Sequence, residues 1–344
     1  MAQLILSRTG NRLQIRYTFL IISILALCLT FSVSSATKYA GEFLRIGASA
    51  RALGMGGAVT ALVDDASAVY WNPAGMTKME NAELVLMHAE QFSDLADYDF
   101  GAYVLSLEGT GTPGAVGIGV VRFAVPDILI TEKAYKDING NHRYDHGIDT
   151  ILPGEFYFDN DSNTAIFLSY ARPLSPSLNI GGSLKLISQD LVNHSSFGIG
   201  ADLGLMWQTT EALALGARFS DITTTQLFWD GGRRETITPS LFIGGAYQIA
   251  IPSIGVNLTT TADLAMTFEG RDMASSFTAG SAGGDLRVGG EAWFKEIFAA
   301  RVGHQESGVT GGVGFRLRGF GVDYAFVPHD DLGNSHRVSA QYTF

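Results

Sequence analysis

Cysteine is all but missing from this 344-residue chain, with Cys28 the only one. It falls inside an N-terminal stretch that reads as an export signal, so the mature chain is expected to carry none. Disulfides and thiol catalysis are thereby excluded. Positive charge is also scarce, with 23 Lys+Arg against 34 Asp+Glu and a net charge of −11. Nucleic acid needs clustered Lys and Arg, so it is excluded as a partner. Proline is limited to 9 residues, and beyond the N-terminal stretch no uninterrupted apolar run suits a transmembrane helix, which needs ~20 residues. The seven histidines show no metal-ligand spacing such as H-E-x-x-H, and no Ser/His/Asp grouping stands out. These absences speak against an enzyme.

The first 36 residues carry the marks of a secretory signal. Arg8, Arg12 and Arg16 form a basic start, Tyr17 to Val33 is apolar, and Ser34-Ser35-Ala36 offers small residues at a cleavage site. Cleavage would leave Thr37 first and, by removing three arginines, deepen the acidity. An uncleaved anchor is the alternative, because the apolar run approaches spanning length. A lipid on Cys28 would need a small residue where Leu27 stands.

What is abundant is glycine, with 41 residues, and phenylalanine, with 21. Many glycines and aromatics without helix-favouring runs point to an all-β chain. The alternation narrows the class. Phe197, Ile199, Ala201, Leu203, Leu205 and Trp207 share one face of a strand. Gly198, Gly200, Asp202, Gly204, Met206 and Gln208 share the other. The pattern recurs to the C-terminus, and the charges Lys185, Asp202, Arg218, Asp263, Arg287, Glu291, Arg301, Arg316 and Asp323 fall opposite the apolar rows. A glycine-rich polar face carrying both signs of charge suits a narrow lumen better than a solvated sandwich face. About fourteen segments result, beginning near residues 82, 98, 115, 164, 178, 196, 213, 239, 256, 285, 298, 309, 320 and 336. The expectation is a 14-stranded antiparallel transmembrane β-barrel over residues 82–344, with an extracellular insertion at about 126–163. Tyr342 and Phe344 end the last strand in the manner read by the barrel-assembly machinery. That machinery and outer-membrane lipid are the expected partners, in the outer membrane of a Gram-negative bacterium.

Residues 43–79, within the segment 37–81 that precedes the first strand, do not alternate like a strand. They contain Arg51-Ala52-Leu53-Gly54-Met55-Gly56-Gly57-Ala58, then Asp64-Asp65-Ala66, then Trp71-Asn72-Pro73-Ala74-Gly75. This run resembles the N-terminal segment of the FadL-type outer-membrane superfamily, most closely its PorV/PorQ branch. The resemblance implies a hatch segment folded inside the barrel, either as a fixed seal or as a moving gate. Gly54, Gly56, Gly57 and Gly75 would let backbones approach, Pro73 and Asn72 would fix a turn, and Asp64 and Asp65 would pair with lumen arginines.

One loop stands apart. Asp137, Asn139, Asn141, Arg143 and Asp145 stand at positions 1, 3, 5, 7 and 9 of a stretch that resembles a calcium loop. His142 replaces the usual glycine and Ile148 the usual glutamate, leaving Asp149 or Glu155 to complete it. Calcium in that loop is the only cofactor expected, against a metal-free polar turn. For function, the PorV/PorQ resemblance implies protein secretion or surface attachment of the type IX kind, with secreted cargo or secretion-system components as partners. The alternatives are FadL-type uptake of hydrophobic small molecules and a structural barrel without transport.

Overall fold

A strand with one apolar and one polar face must find two different surroundings, and a closed barrel in lipid supplies both. The computed structural model describes residues 40–92, 95–131, 135–141, 143–152, 154, 156–268, 277–279, 282–306, 308–328 and 333–344. The expected signal at 1–36, His142 and Glu155 lie outside them. Fourteen antiparallel strands close into a barrel. The first six are β1 Glu83–Gln91, β2 Ala96–Ser106, β3 Ala115–Ile130, β4 Tyr157–Ser175, β5 Leu178–Leu191 and β6 His194–Gln208. Strand β7 runs Leu213–Ser220 and resumes at Thr225–Trp229, and β8 begins as Arg234–Ile237 and continues as Ser240–Ile251. The rest are β9 Val256–Thr267, β10 Ala282–Phe294, β11 Phe298–Gln305, β12 Gly308–Leu317, β13 Phe320–Val327 and β14 Ser335–Thr343. Pairing of β14 with β1, from Glu83↔Thr343 to Glu90↔His336, removes both sheet edges.

The two faces separate as the alternation requires. On β6, Phe197, Ile199 and Trp207 are exposed outward, while Ser196, Asp202 and Met206 are buried inward. The same split places Val313 and Leu286 outside, and Glu291, Arg301 and Asp323 inside. No helix among the described residues is long and apolar enough to cross a membrane.

Every connection at the end where β1 begins is short, and the long ones lie at the other end. In outer-membrane barrels generally the short-turn end is the periplasmic one. The long insertion is smaller than the expected 126–163, because β3 and β4 extend into it. Pro126 has no N–H to give to a ladder, and the Asp127 N–H turns to Asn160 Oδ1 at 3.1 Å. Pairing then resumes past this bulge at Ile128↔Asp159, Leu129↔Phe158 and Ile130↔Tyr157. Beyond it a two-stranded ribbon, Tyr135–Lys136 with Thr150–Ile151, carries the acidic loop.

Residues 40–79 pack against the inner face of the wall. They form short pieces only: 3-10 turns at Glu42–Arg45 and Pro73–Lys78, and single helical turns α1 Ala50–Gly54 and α2 Ala68–Trp71. Gly56 and Gly57 end α1 with φ of 66° and 67°, a left-handed pair that no β-carbon favours. Asn72 Oδ1 accepts from the Ala74 N–H at 3.2 Å and starts the turn at Pro73. The wall is thinned to receive these pieces. A β-carbon on Gly303 of β11 would lie 2.2 Å from the Gly56 nitrogen, and one on Gly181 of β5 would lie 2.4 Å from the Pro73 carbonyl carbon.

Candidate functional site

The lumen charges gather into separate groups. In the largest, Arg51 reaches from α1 to β10, where its Nε and Nη2 donate to Glu291 Oε2 and Oε1, both at 3.0 Å. Its Nη1 donates to Asp65 at 3.2 Å and also to Asp64. Glu291 accepts in addition from Arg301 Nε at 2.7 Å, and Arg301 Nη1 reaches Asp323 at 2.7 Å. Two guanidiniums are thus interleaved with four carboxylates, joining the segment to β10, β11 and β13. In a buried setting such pairing offsets the cost of desolvating each ion. Burial pushes the Asp64 carboxyl up, but Arg51 and Lys78 outweigh it and hold it below the usual carboxylate range. Burial pushes the Lys78 ammonium down despite Asp64.

This network borders a cavity of about 710 Å³ lined by Arg51, Asp64, Glu291, Trp293 and Arg316 together with Glu211 and Glu296 of the short turns. Arg316 does not join the ion pairs. It lies 4.6 Å from the Trp293 ring and donates to Gln341 at 3.3 Å.

The second group holds Lys185 between Asp202, at 2.9 Å, and Asp221. Sequence reasoning missed Asp221, which sits in the break of β7. Its φ of 58° bends the strand, its N–H donates to Asp202 at 2.8 Å, and its carboxylate receives the Thr225 hydroxyl. Among the described residues the third group has no carboxylate in its hydrogen bonds. Arg218 donates to the carbonyls of Tyr70 at 2.7 Å and Trp71 at 3.1 Å, closing the end of α2. The guanidiniums of Arg218 and Arg287 lie 4.5 and 5.7 Å from the Phe242 ring.

The segment's own motif is satisfied inside this frame. Trp71 Nε1 donates to the Ala48 carbonyl at 2.7 Å, and Asn72 Nδ2 donates to Thr60 at 2.7 Å and to the wall carbonyl of Leu205 at 3.1 Å. Gly54 abuts Gly312 and Gly75 abuts the Val63 carbonyl. Tyr70 meets Phe100 and Phe167 edge-on at 6.2 and 5.9 Å, an apolar patch within a lumen otherwise rich in ions. Composition alone could not show that these three rings meet.

The acidic loop folds on itself. Asn139 and Asn141 both donate to Asp145, at 2.6 and 2.7 Å, while Asn141 Oδ1 receives the Arg143 N–H. Asp137 caps Gly140, and Asp149 receives the N–H groups of Ile138 and Asp145. Among the described residues no three His, Cys, Asp or Glu side chains converge as a metal site. At the other end of the molecule Tyr342 and Phe344 stack edge-on at 4.9 Å, both exposed on the outer face.

The model of an uncharacterised protein family, UPF0164, matches residues 30–126. Comparison with curated proteins gives no match. Among solved structures, the CymD monoaromatic hydrocarbon channel superposes with a TM-score of 0.56 at 14% identity, over 87% of this chain and 98% of its own. The Pseudomonas putida toluene transporter TodX gives 0.56 at 14%, over 86% and 96%. A Pseudomonas aeruginosa FadL homologue gives 0.53 at 13%, over 85% and 97%. At such identities the likeness is one of fold, and the fold is that of FadL-type outer-membrane channels. These findings carry the broader half of the sequence resemblance and do not reach its PorV/PorQ half.

Proposed function

We propose that this barrel passes small hydrophobic molecules across the outer membrane of a Gram-negative bacterium. The observation that carries the reading is the match, over nearly the full length of both chains, to barrels described as hydrocarbon channels and toluene transporters. The Tyr70, Phe100 and Phe167 patch supports it, since an apolar solute gains nothing from a lumen made only of ion pairs. Residues 40–79 occupy the lumen, so passage requires that segment to shift. Secretion or surface attachment of proteins rests on the PorV/PorQ resemblance alone.

The Ala50 N–H donates to Ser339 Oγ on β14 at 2.8 Å, which makes this pair a place to pin the segment. An Ala50→Cys, Ser339→Cys double variant adds two thiols to a mature chain expected to have none. Cells of a Gram-negative host expressing the barrel should take up toluene faster than cells without it. Oxidising the double variant should abolish the gain and a reductant should restore it. Uptake no faster than in barrel-free cells refutes the proposal.

A further inference from the structure

Arg337 is a lumen cation that forms no salt bridge among the described residues. Arg337 projects inward from β14 and is 3% exposed, yet its Nε and Nη1 have no hydrogen-bond acceptor. Its one polar contact among the described residues is a long bond from Nη2 to Gln91 Oε1 at 3.4 Å. The ring of Tyr98 lies 5.8 Å from the guanidinium carbon, near the limit of a useful cation–π contact. No carboxylate among the described residues forms a salt bridge with it, whereas Arg51, Arg301 and Lys185 each hold at least two.

The neighbours make the imbalance sharper. Gln91 Nε2 is also buried without a partner, and the Tyr98 hydroxyl, beside the Tyr70 hydroxyl, makes no hydrogen bond of good geometry. Register places Ala89 of β1 directly between Arg337 and Tyr98, and Ala325 of β13 on the other side of Arg337. Two methyl side chains therefore flank a cluster of unused donors drawn from three adjacent strands. Each of these groups is costly when buried unsatisfied, and an unpaired guanidinium is the costliest. What would satisfy them together is an acceptor carrying one negative charge. One cation sets the charge at minus one, and the rings of Tyr98 and its cross-strand neighbour Phe123 favour an apolar body beside it.

We propose that Arg337, Tyr98 and Gln91 form a binding site for the carboxylate of a small organic acid. The site deepens the passage reading and rests on it for how the acid reaches the lumen. Benzoate is the probe, acetate tests the carboxylate alone, and toluene tests the apolar body alone. The protein, exported and purified from membranes in detergent, is heated in a buffer whose only other anion is a bulky sulfonate. Benzoate should raise the wild-type Tm in a saturable way, as a ligand of the folded state does. Arg337→Gln should weaken benzoate about ten- to a hundredfold, the range for a charge-assisted bond. Its ligand-free Tm should be no lower than the wild type's, because an uncompensated charge has been removed. Tyr98→Phe should weaken binding by less. The proposal is overturned by an equal benzoate response in Arg337→Gln, by no response in the wild type, or by a marked ligand-free loss of Tm in the variant. Toluene uptake keeps the two readings apart. A barrel that binds benzoate through Arg337 but passes no toluene loses the passage reading alone, and one that passes toluene but ignores benzoate loses only the acid site.

Discussion

Replacing Glu291 with glutamine tests whether the ion network fastens the inner segment to the wall. The change keeps the side chain's shape and removes one charge. Glu291 accepts three charge-assisted bonds, two from Arg51 and one from Arg301, with both arginines buried. A glutamine has one oxygen to offer, and its amide would set a donor against a donor. Breaking one side of a buried pair costs about 3–5 kcal/mol. Arg51 keeps Asp64 and Asp65, and Arg301 keeps Asp323, so the lower end of that range, ~3 kcal/mol, applies. Urea unfolding in lipid vesicles, followed by tryptophan fluorescence, measures the change. The partner experiment is a double-mutant cycle with Arg51→Met and Glu291→Leu. Residues in one network should couple by about 1 kcal/mol or more, leaving the double variant less damaged than the sum of the singles. A Glu291→Gln loss under about 1 kcal/mol, or strict additivity in the cycle, would mean that the network does not hold the segment.

Two further outcomes follow from other parts of the molecule. Asp64 is held below the usual carboxylate range, so its stabilisation is complete above the unfolded value of ~3.9 and is lost as pH falls through the lower folded value. Trp71 fluorescence, in a variant whose other three tryptophans are phenylalanine, should show a step below about pH 4 as Asp64 is protonated. Asp64→Asn should weaken docking at neutral pH and remove that acid step, and a low-pH step that persists in full in the variant would contradict the assignment. Val313 faces outward on β12 between Ala300 and Tyr324 of the adjoining strands. Val313→Arg should cost up to ~2–4 kcal/mol for insertion into lipid vesicles, and unchanged insertion would remove the lipid from that face.

The strands were legible where lipid dictates one of their faces. Phe197, Ile199 and Trp207 alternate because each must meet hydrocarbon, and that demand lets β6 be read from sequence alone. Where the chain leaves the membrane the demand lapses. Asp159, Asn160 and Asp161 of β4 look like loop, yet they continue the ladder because β3 rises beside them. The break in β7 was hidden for a related reason, since Asp221 serves the lumen as an ion and the backbone as a bend. The inward set of charges was readable as a face, but its pairings were not. Arg51 and Glu291 stand 240 residues apart, and only the register of the closed barrel brings them together. Arg337 was visible on the polar face, and nothing in the order of residues showed that it would lack a carboxylate.

The distribution of the segment's anchors along the chain has a bearing on time. Asn72 grips β6, but the ion pairs of Arg51 wait for Glu291 on β10, Glu291 is completed by Arg301 on β11, and Ala50 needs Ser339 on β14. A chain is synthesised from its N-terminus, so residues 40–79 emerge before almost every group that fixes them. They cannot settle until the final strand has arrived and joined β1. The portion made earliest is therefore among the last to acquire its structure, and its seating reports that the whole ring has been finished. A chain truncated before β14 would leave that segment without a berth.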